Sequence, residues 1–261
     1  HTADRGSFTR LFFLDAASYT LYFFFILSLR GIGGKLSDAE RGTSHTGSYR
    51  EVFADRRLRR LTAVAVLILT SGYASIDAGI PILLTTVGGL EVRELGPMWT
   101  VNTFVIVALQ LVVLRLIDGR SRTRLLTVVC LLWATAWIIY LLGIFEPKAT
   151  FVLACVAVAV FAVGETLWSP VGAALQNDIA PEHLRGRYNA MGAATWVFAG
   201  AIGPAYAGIM LQLKLATVWI ATLVIGLAVA AWLAGGLRRE LSPTQDGRRE
   251  SLHTAGAQPQ A

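Results

Sequence analysis

Apolar positions along this chain come in long unbroken runs, without the strict alternation of a half-buried strand. The runs are 9–29, 61–84, 98–117, 125–145, 151–176, 189–211 and 215–237, each with almost no charged residue inside it. A helix of about 20 apolar residues crosses a ~30 Å hydrocarbon core at 1.5 Å per residue. The pattern therefore predicts an all-α, polytopic membrane protein with seven spans. Only two inter-span or flanking segments are long, 30–60 and the tail 238–261.

The polar segments between the runs carry a second pattern. Segments 30–60, 118–124, 177–188 and 238–261 together hold 17 Lys and Arg, whereas 1–8, 85–97, 146–150 and 212–214 together hold 4. Excess Lys and Arg marks cytoplasmic loops, so residues 30–60 and the C-terminus are expected inside, in the cell membrane. That topology accounts for the net charge of +6, and a nucleic-acid partner is not needed. The chain begins at His1, with no initiator Met and no basic stretch ahead of an apolar core, which is the expected look of a piece of a longer protein.

Composition agrees and narrows the chemistry. Charged residues make up 15% of the chain and apolar residues 54%, against about 25% charged in soluble domains. Cys130 and Cys155 lie inside apolar runs and read as small buried hydrophobes. His1, His45, His183 and His253 lie outside the runs without ligand spacing. No metal or cofactor is implied, and no His or carboxylate cluster points to an enzyme. Within 30–60 the first half is Gly-rich and polar, a tether between domains. From Ser48 it changes: Ser48 and Glu51 are spaced as a capping box, and Tyr49, Val52 and Phe53 share a face beside Arg56, Arg57, Arg59 and Arg60. That predicts a short helix lying on anionic headgroups, or simply flanking charge. The tail 238–261 is expected to be disordered.

Polar residues are distributed unevenly among the spans. Runs 125–145 and 215–237 contain no Asp, Glu, Lys, Arg or His and can face lipid all round. Run 61–84 carries Tyr73 and Asp77, run 98–117 carries Asn102 and Gln110, and run 151–176 carries Glu165 and Gln176. Polar groups inside a bilayer face a protein interior or a wet cavity. Among the last six runs the apolar ones are the third and sixth, so the pattern repeats after three helices. Nested three-helix repeats are a known layout of secondary transporters.

Several stretches then resemble the major facilitator superfamily. "DGRSRTRLL" (118–126) resembles its Arg-rich cytoplasmic loop signature. "NDIAPEHLRGRYNAMG" (177–192) resembles the loop between the tenth and eleventh helices of drug-efflux members. "AGAIGPAYAG" (199–208) resembles the Gly-Pro motif of antiporters, and "LFFLDAASYTLYFFF" (11–25) is similar to the sixth helix of that group. The resemblance implies that residues 1–29 are the last helix of an N-terminal lobe otherwise missing from this chain. Residues 30–60 would be the inter-lobe linker and 61–237 the six-helix C-terminal lobe. Alternating access needs two lobes, so this chain by itself is not expected to transport. The implied function is proton-coupled efflux of hydrophobic or cationic small molecules. The alternative is movement of a sugar or metabolite by the same fold. A seven-helix photoreceptor fits poorly, because Lys35, Lys148 and Lys214 all lie in loops and leave no Schiff-base lysine.

Glu165 is the leading site candidate. It lies about 14 residues into its run, or ~21 Å along the axis. An ionised carboxylate at the bilayer centre costs roughly 2.5–3.5 kcal/mol, which protonation removes. It reads either as a coupling carboxylate or as a neutral Glu bonded to a neighbouring helix. Asp77 reads as an outer-gate group or a resident of the hydrated vestibule. Tyr73, Asn102 and Gln110 are candidate cavity residues. Trp168 and Trp196 are cavity walls for a flat or cationic ligand, or packing aromatics. Pro81, Gly203 and Pro204 are expected to bend their helices, with Gly192, Gly200 and Gly208 admitting close neighbours. By resemblance, Asp118, Arg120, Arg122, Arg124, Asp178, Arg185 and Arg187 form a cytoplasmic latch.

Overall fold

The computed structural model describes residues 5–28 and 48–248, and all regular structure there is helical. Helix α1 (Arg5–Ser28) belongs to a unit separate from residues 47–261. Its Phe12, Phe13, Tyr22, Phe23 and Phe24 are exposed. Ser18 and Thr20 donate their hydroxyls back to the carbonyls of Asp15 and Ala16, at 2.7 Å each, which satisfies them within an apolar helix. Residues 56–238 hold six helices long and apolar enough to cross a membrane, the number expected for the six-helix lobe.

The remaining elements are α2 (Tyr49–Ala54), α3 (Arg56–Ser71), α4 (Tyr73–Thr86), α5 (Val92–Ile117), α6 (Arg122–Phe145), α7 (Thr150–Ile179), α8 (Arg185–Gln212) and α9 (Ala216–Arg238). Helices α3 and α4 are one span, Arg56–Thr86, interrupted at Gly72. The interruption falls there and not at Pro81, which lies inside α4. Gly72 adopts φ −105° and ψ −94°, and a Cβ on it would enter the ring of Trp133. The carbonyls at the break take side-chain donors: Ser75 Oγ to Thr70 O at 2.7 Å, and the buried Trp137 Nε1 to Ser71 O at 2.7 Å. Those bonds keep the disrupted backbone satisfied inside an apolar core.

The six spans pack with a repeat. Span α3/α4 packs on α8, as α7 packs on α5; α3 packs on α9, as α7 packs on α6; and α6 packs on α9. Exchanging the first three spans for the last three maps each pairing onto another, the arrangement that the polar pattern had anticipated. The expectation that 125–145 and 215–237 face lipid all round is corrected. One face of each is buried, with Trp137 of α6 edge-on to Trp219 of α9 at 5.2 Å. Only their outer faces, with Leu131, Ile138, Ile225 and Trp232, are exposed.

The Arg-rich connections gather at one end. Ser48 and Glu51 form the expected capping box of α2. Asp55 caps α3 through Arg57 N–H at 2.8 Å, and its other oxygen accepts the hydroxyl of Tyr188 on α8 at 2.5 Å. Glu240 pairs with Arg56 at 3.0 Å and Arg60 at 2.8 Å. The expected disorder of 238–261 is corrected as far as residue 248, because Asp246 is fully buried against the start of α6; the residues beyond lie outside those described. Tyr188→Phe removes one charge-assisted bond and is expected to cost about 1.5–3 kcal/mol in thermal unfolding of the purified protein. A loss below the error of that measurement would show that this contact contributes nothing.

Candidate functional site

Glu165 sits in the middle of α7, where three other helices converge on it. Its Oε1 accepts a hydrogen bond from the hydroxyl of Tyr73, the first residue of α4. Its Oε2 accepts from Asn102 Nδ2 of α5 at 3.3 Å. Helix α6 contributes Trp133, stacked on Phe161 at 4.5 Å with an interplanar angle of 9°. Tyr73 packs edge-on against Trp133 at 5.5 Å, Phe161 at 5.9 Å and Trp196 at 5.1 Å. A carboxylate is therefore held by one hydroxyl and one amide in an aromatic surround. Both donors are neutral, so the group keeps its full charge when ionised, and that charge is only partly screened at this half-buried position.

Beside this cage lies a cavity of about 370 Å³ between α3, α7 and α8. Tyr73, Trp168 and Trp196 form its aromatic walls; Gln176, Asn177 and Asn189 supply amides. No charged side chain lines it. Gln176 is fixed by donating to the carbonyl of Tyr188. The cavity runs from Leu58, near the Arg-rich start of α3, to Tyr73. Its volume lies in the range of small-molecule sites, roughly 300–1,000 Å³.

The other predicted residues fall as follows. Asp77 is one turn beyond Tyr73 on α4 and exposed. Gln110 is half-buried and eight residues past Asn102 on α5, about 12 Å along its axis. Arg122 pairs with Asp178, joining the start of α6 to the end of α7. Arg187 lies over the ring of Tyr49 at 5.5 Å, which draws α8 to α2. Asp118, Arg120, Arg124 and Arg185 are exposed in the same connections. Pro204 lies inside α8, and a Cβ on Gly203 would enter the backbone of Ala74, so α8 and α4 touch closely there. Gly192 backs onto Gln176, whereas Gly200 and Gly208 have open space beside them. Among the described residues no His, Cys, Asp and Glu side chains are grouped to hold a metal ion.

Five residues escaped the reading of the sequence: Gly72, Trp133, Asp55 with its partner Tyr188, and Asp246. Trp133 lies in a run without charged residues, where polarity offers no signal. Asp55, just before a run of arginines, stands at an N-cap position that a closer look for caps would have found.

Six spanning helices, a polar cage and an uncharged cavity beside it define an integral membrane transporter. The family model of the Major Facilitator Superfamily matches residues 62–259, and the chain belongs to that superfamily. No curated protein and no solved structure matches it.

Proposed function

We propose that residues 56–238 are the C-terminal lobe of a drug-efflux-like secondary transporter that expels hydrophobic or cationic small molecules by alternating access, driven by protons carried on Glu165. In this reading α1 is the last helix of the N-terminal lobe, and the spans correspond to the sixth through twelfth helices of a complete transporter. The Arg-rich end, with residues 30–60 and the C-terminus, faces the cytoplasm of a cell membrane. The cavity then opens inward and Arg122–Asp178 belongs to a latch at that end.

One observation supports this most: the carboxylate of Glu165 is bonded to Tyr73, which also walls an aromatic cavity with no cationic lining. Such a cavity has no partner for an anion and suits flat or positively charged ligands. The amides of Gln176, Asn177 and Asn189 favour a second reading, a neutral polar metabolite such as a sugar.

Exchange of one proton for one monovalent cation moves no net charge, so the pH difference drives it, and each pH unit supplies about 1.4 kcal/mol, or roughly tenfold in steady-state accumulation. In proteoliposomes holding the intact transporter, Glu165→Gln is expected to lower the proton-driven ethidium gradient by about that factor. Full accumulation by the Gln variant would sink the coupling role. Transport of radiolabelled glucose but not ethidium by the unmodified protein would favour the second reading.

A further inference from the structure

Tyr73 belongs to two structures at once. Its hydroxyl donates to Glu165, and its ring is a wall of the cavity between α3, α7 and α8. Neither Glu165 nor Asn102 lines that cavity, so a molecule seated there meets the carboxylate by way of the tyrosine. On the cavity side the Tyr73 ring rests on Trp196 at 5.1 Å; on the inner side it rests on Trp133 and Phe161. Trp196 is 47% exposed while Trp133 is fully buried, so the yielding wall is the one that faces the cavity. Tyr73 directly follows the interruption at Gly72, whose φ −105° and ψ −94° depart from helical values.

We infer that Tyr73 is the positioning residue that links occupation of the cavity by a planar aromatic cation to the proton on Glu165. The inference rests on the reading of Glu165 as the coupling carboxylate. A flat ring entering between Trp168 and Trp196 covers the yielding side of Tyr73 and holds its phenol O–H on Glu165, which stabilises the ionised carboxylate. The carboxyl group then gives one proton to water: its O–H bond breaks and an O–H bond of hydronium forms, the direction that exchange of a cation for a proton requires. The remaining groups around the carboxylate do not provide this route. Asn102 is neutral and approaches from α5, away from the cavity. Trp133 of α6 and Trp196 of α8 are neutral. Asp77, the second carboxylate within electrostatic reach, is exposed one turn along α4 and outside the cavity lining. A planar cation fits because three aromatic rings and no cationic side chain form the walls.

The test uses the intact transporter in detergent, with ethidium as the probe. Binding is read by fluorescence anisotropy, and protons exchanged per ethidium bound by a pH indicator in weakly buffered solution. Tyr73→Phe keeps the wall and removes the hydroxyl: ethidium affinity is expected to stay within about threefold while proton exchange falls at least fivefold, the scale of a typical coupling free energy. Trp196→Leu changes an exposed residue and leaves both bonds to Glu165 in place, so it reports even if Tyr73→Phe does not fold; proton exchange is expected to fall at least about twofold. Normal proton exchange in either variant, with Glu165→Gln silent, overturns the role of Tyr73 and leaves that of Glu165 standing. Normal exchange in Glu165→Gln overturns both. Failure of the unmodified protein to bind ethidium overturns the assignment of the cavity's ligand.

Discussion

Asp246→Ala is expected to lose about 3 kcal/mol of stability, and Asp246→Asn only about 1 kcal/mol. The first N–H groups of a helix have no partners within it, and at α6 the chain's own distant segment provides them. Arg122 N–H donates to the carbonyl of Asp246 at 2.8 Å, and Thr123 N–H to its carboxylate at 2.9 Å. Thr123 Oγ1 donates to the same oxygen at 2.8 Å, and Ser121 Oγ to the other at 2.6 Å. Ser121 in turn caps Arg124 N–H. Alanine leaves one buried hydroxyl and an N–H without an acceptor, since of Ser121 and Thr123 only one can donate to the other. Asparagine keeps one acceptor oxygen for Thr123, and its amide can donate to Ser121, whose hydrogen is free to turn toward Thr123 at 3.2 Å. What asparagine loses is the negative charge at a helix N-terminus, worth about 0.3–1 kcal/mol. Arg248, 3.3 Å from the carboxylate and partly exposed, adds little in either case. Equal losses in the two variants, measured by thermal unfolding, would mean that charge and not bond geometry governs the contact.

Gly164→Ala carries the second large effect, a loss of about 2 kcal/mol although alanine is favoured by about 1 kcal/mol within a helix. The added Cβ enters the indole of Trp133 at Nε1, and a Cβ on Gly72 enters the opposite part of the same ring. Trp133 cannot retreat: it is fully buried, stacked on Phe161, and donates to the Phe161 carbonyl at 3.0 Å. Overpacking costs about 1–3 kcal/mol, and the strained indole bond about 1 more. Gly200→Ala, with open space around it, is the control and is expected to be neutral or slightly stabilising. Combining Gly164→Ala with Trp133→Leu should recover part of the loss, since the two side chains compete for one volume. A melting temperature unchanged in Gly164→Ala would show that the aromatic layer gives way.

The lobe was legible because its solvent leaves few choices. Apolar runs of membrane length set the six helices, and the three-helix recurrence of polar residues anticipated a repeat but not which spans pair. Glu165, Tyr73 and Asn102 could be named singly, since each is polar where polarity is costly. Their meeting could not be read, because helical periodicity says which face a residue occupies but not which face opposes it. The same gap hid Trp133, whose role comes from what two glycines on other helices leave empty. It misled the reading of the tail, where a single acidic residue among prolines and polar side chains looks like solvent-exposed chain until the helix start that needs it is in view. Pro81 and Gly72 illustrate the converse. Proline announces itself in sequence, yet here the chain breaks at the glycine, because a tryptophan from α6 fills the place of its side chain.

Asp246 also orders events during synthesis. It closes the start of α6 from 125 residues further on than Ser121, so that helix enters the bilayer with its leading turn still open to water. The turn is sealed only after the last span has left the ribosome and the chain has doubled back beneath the bundle. A nascent lobe halted before that point carries an unfinished helix end.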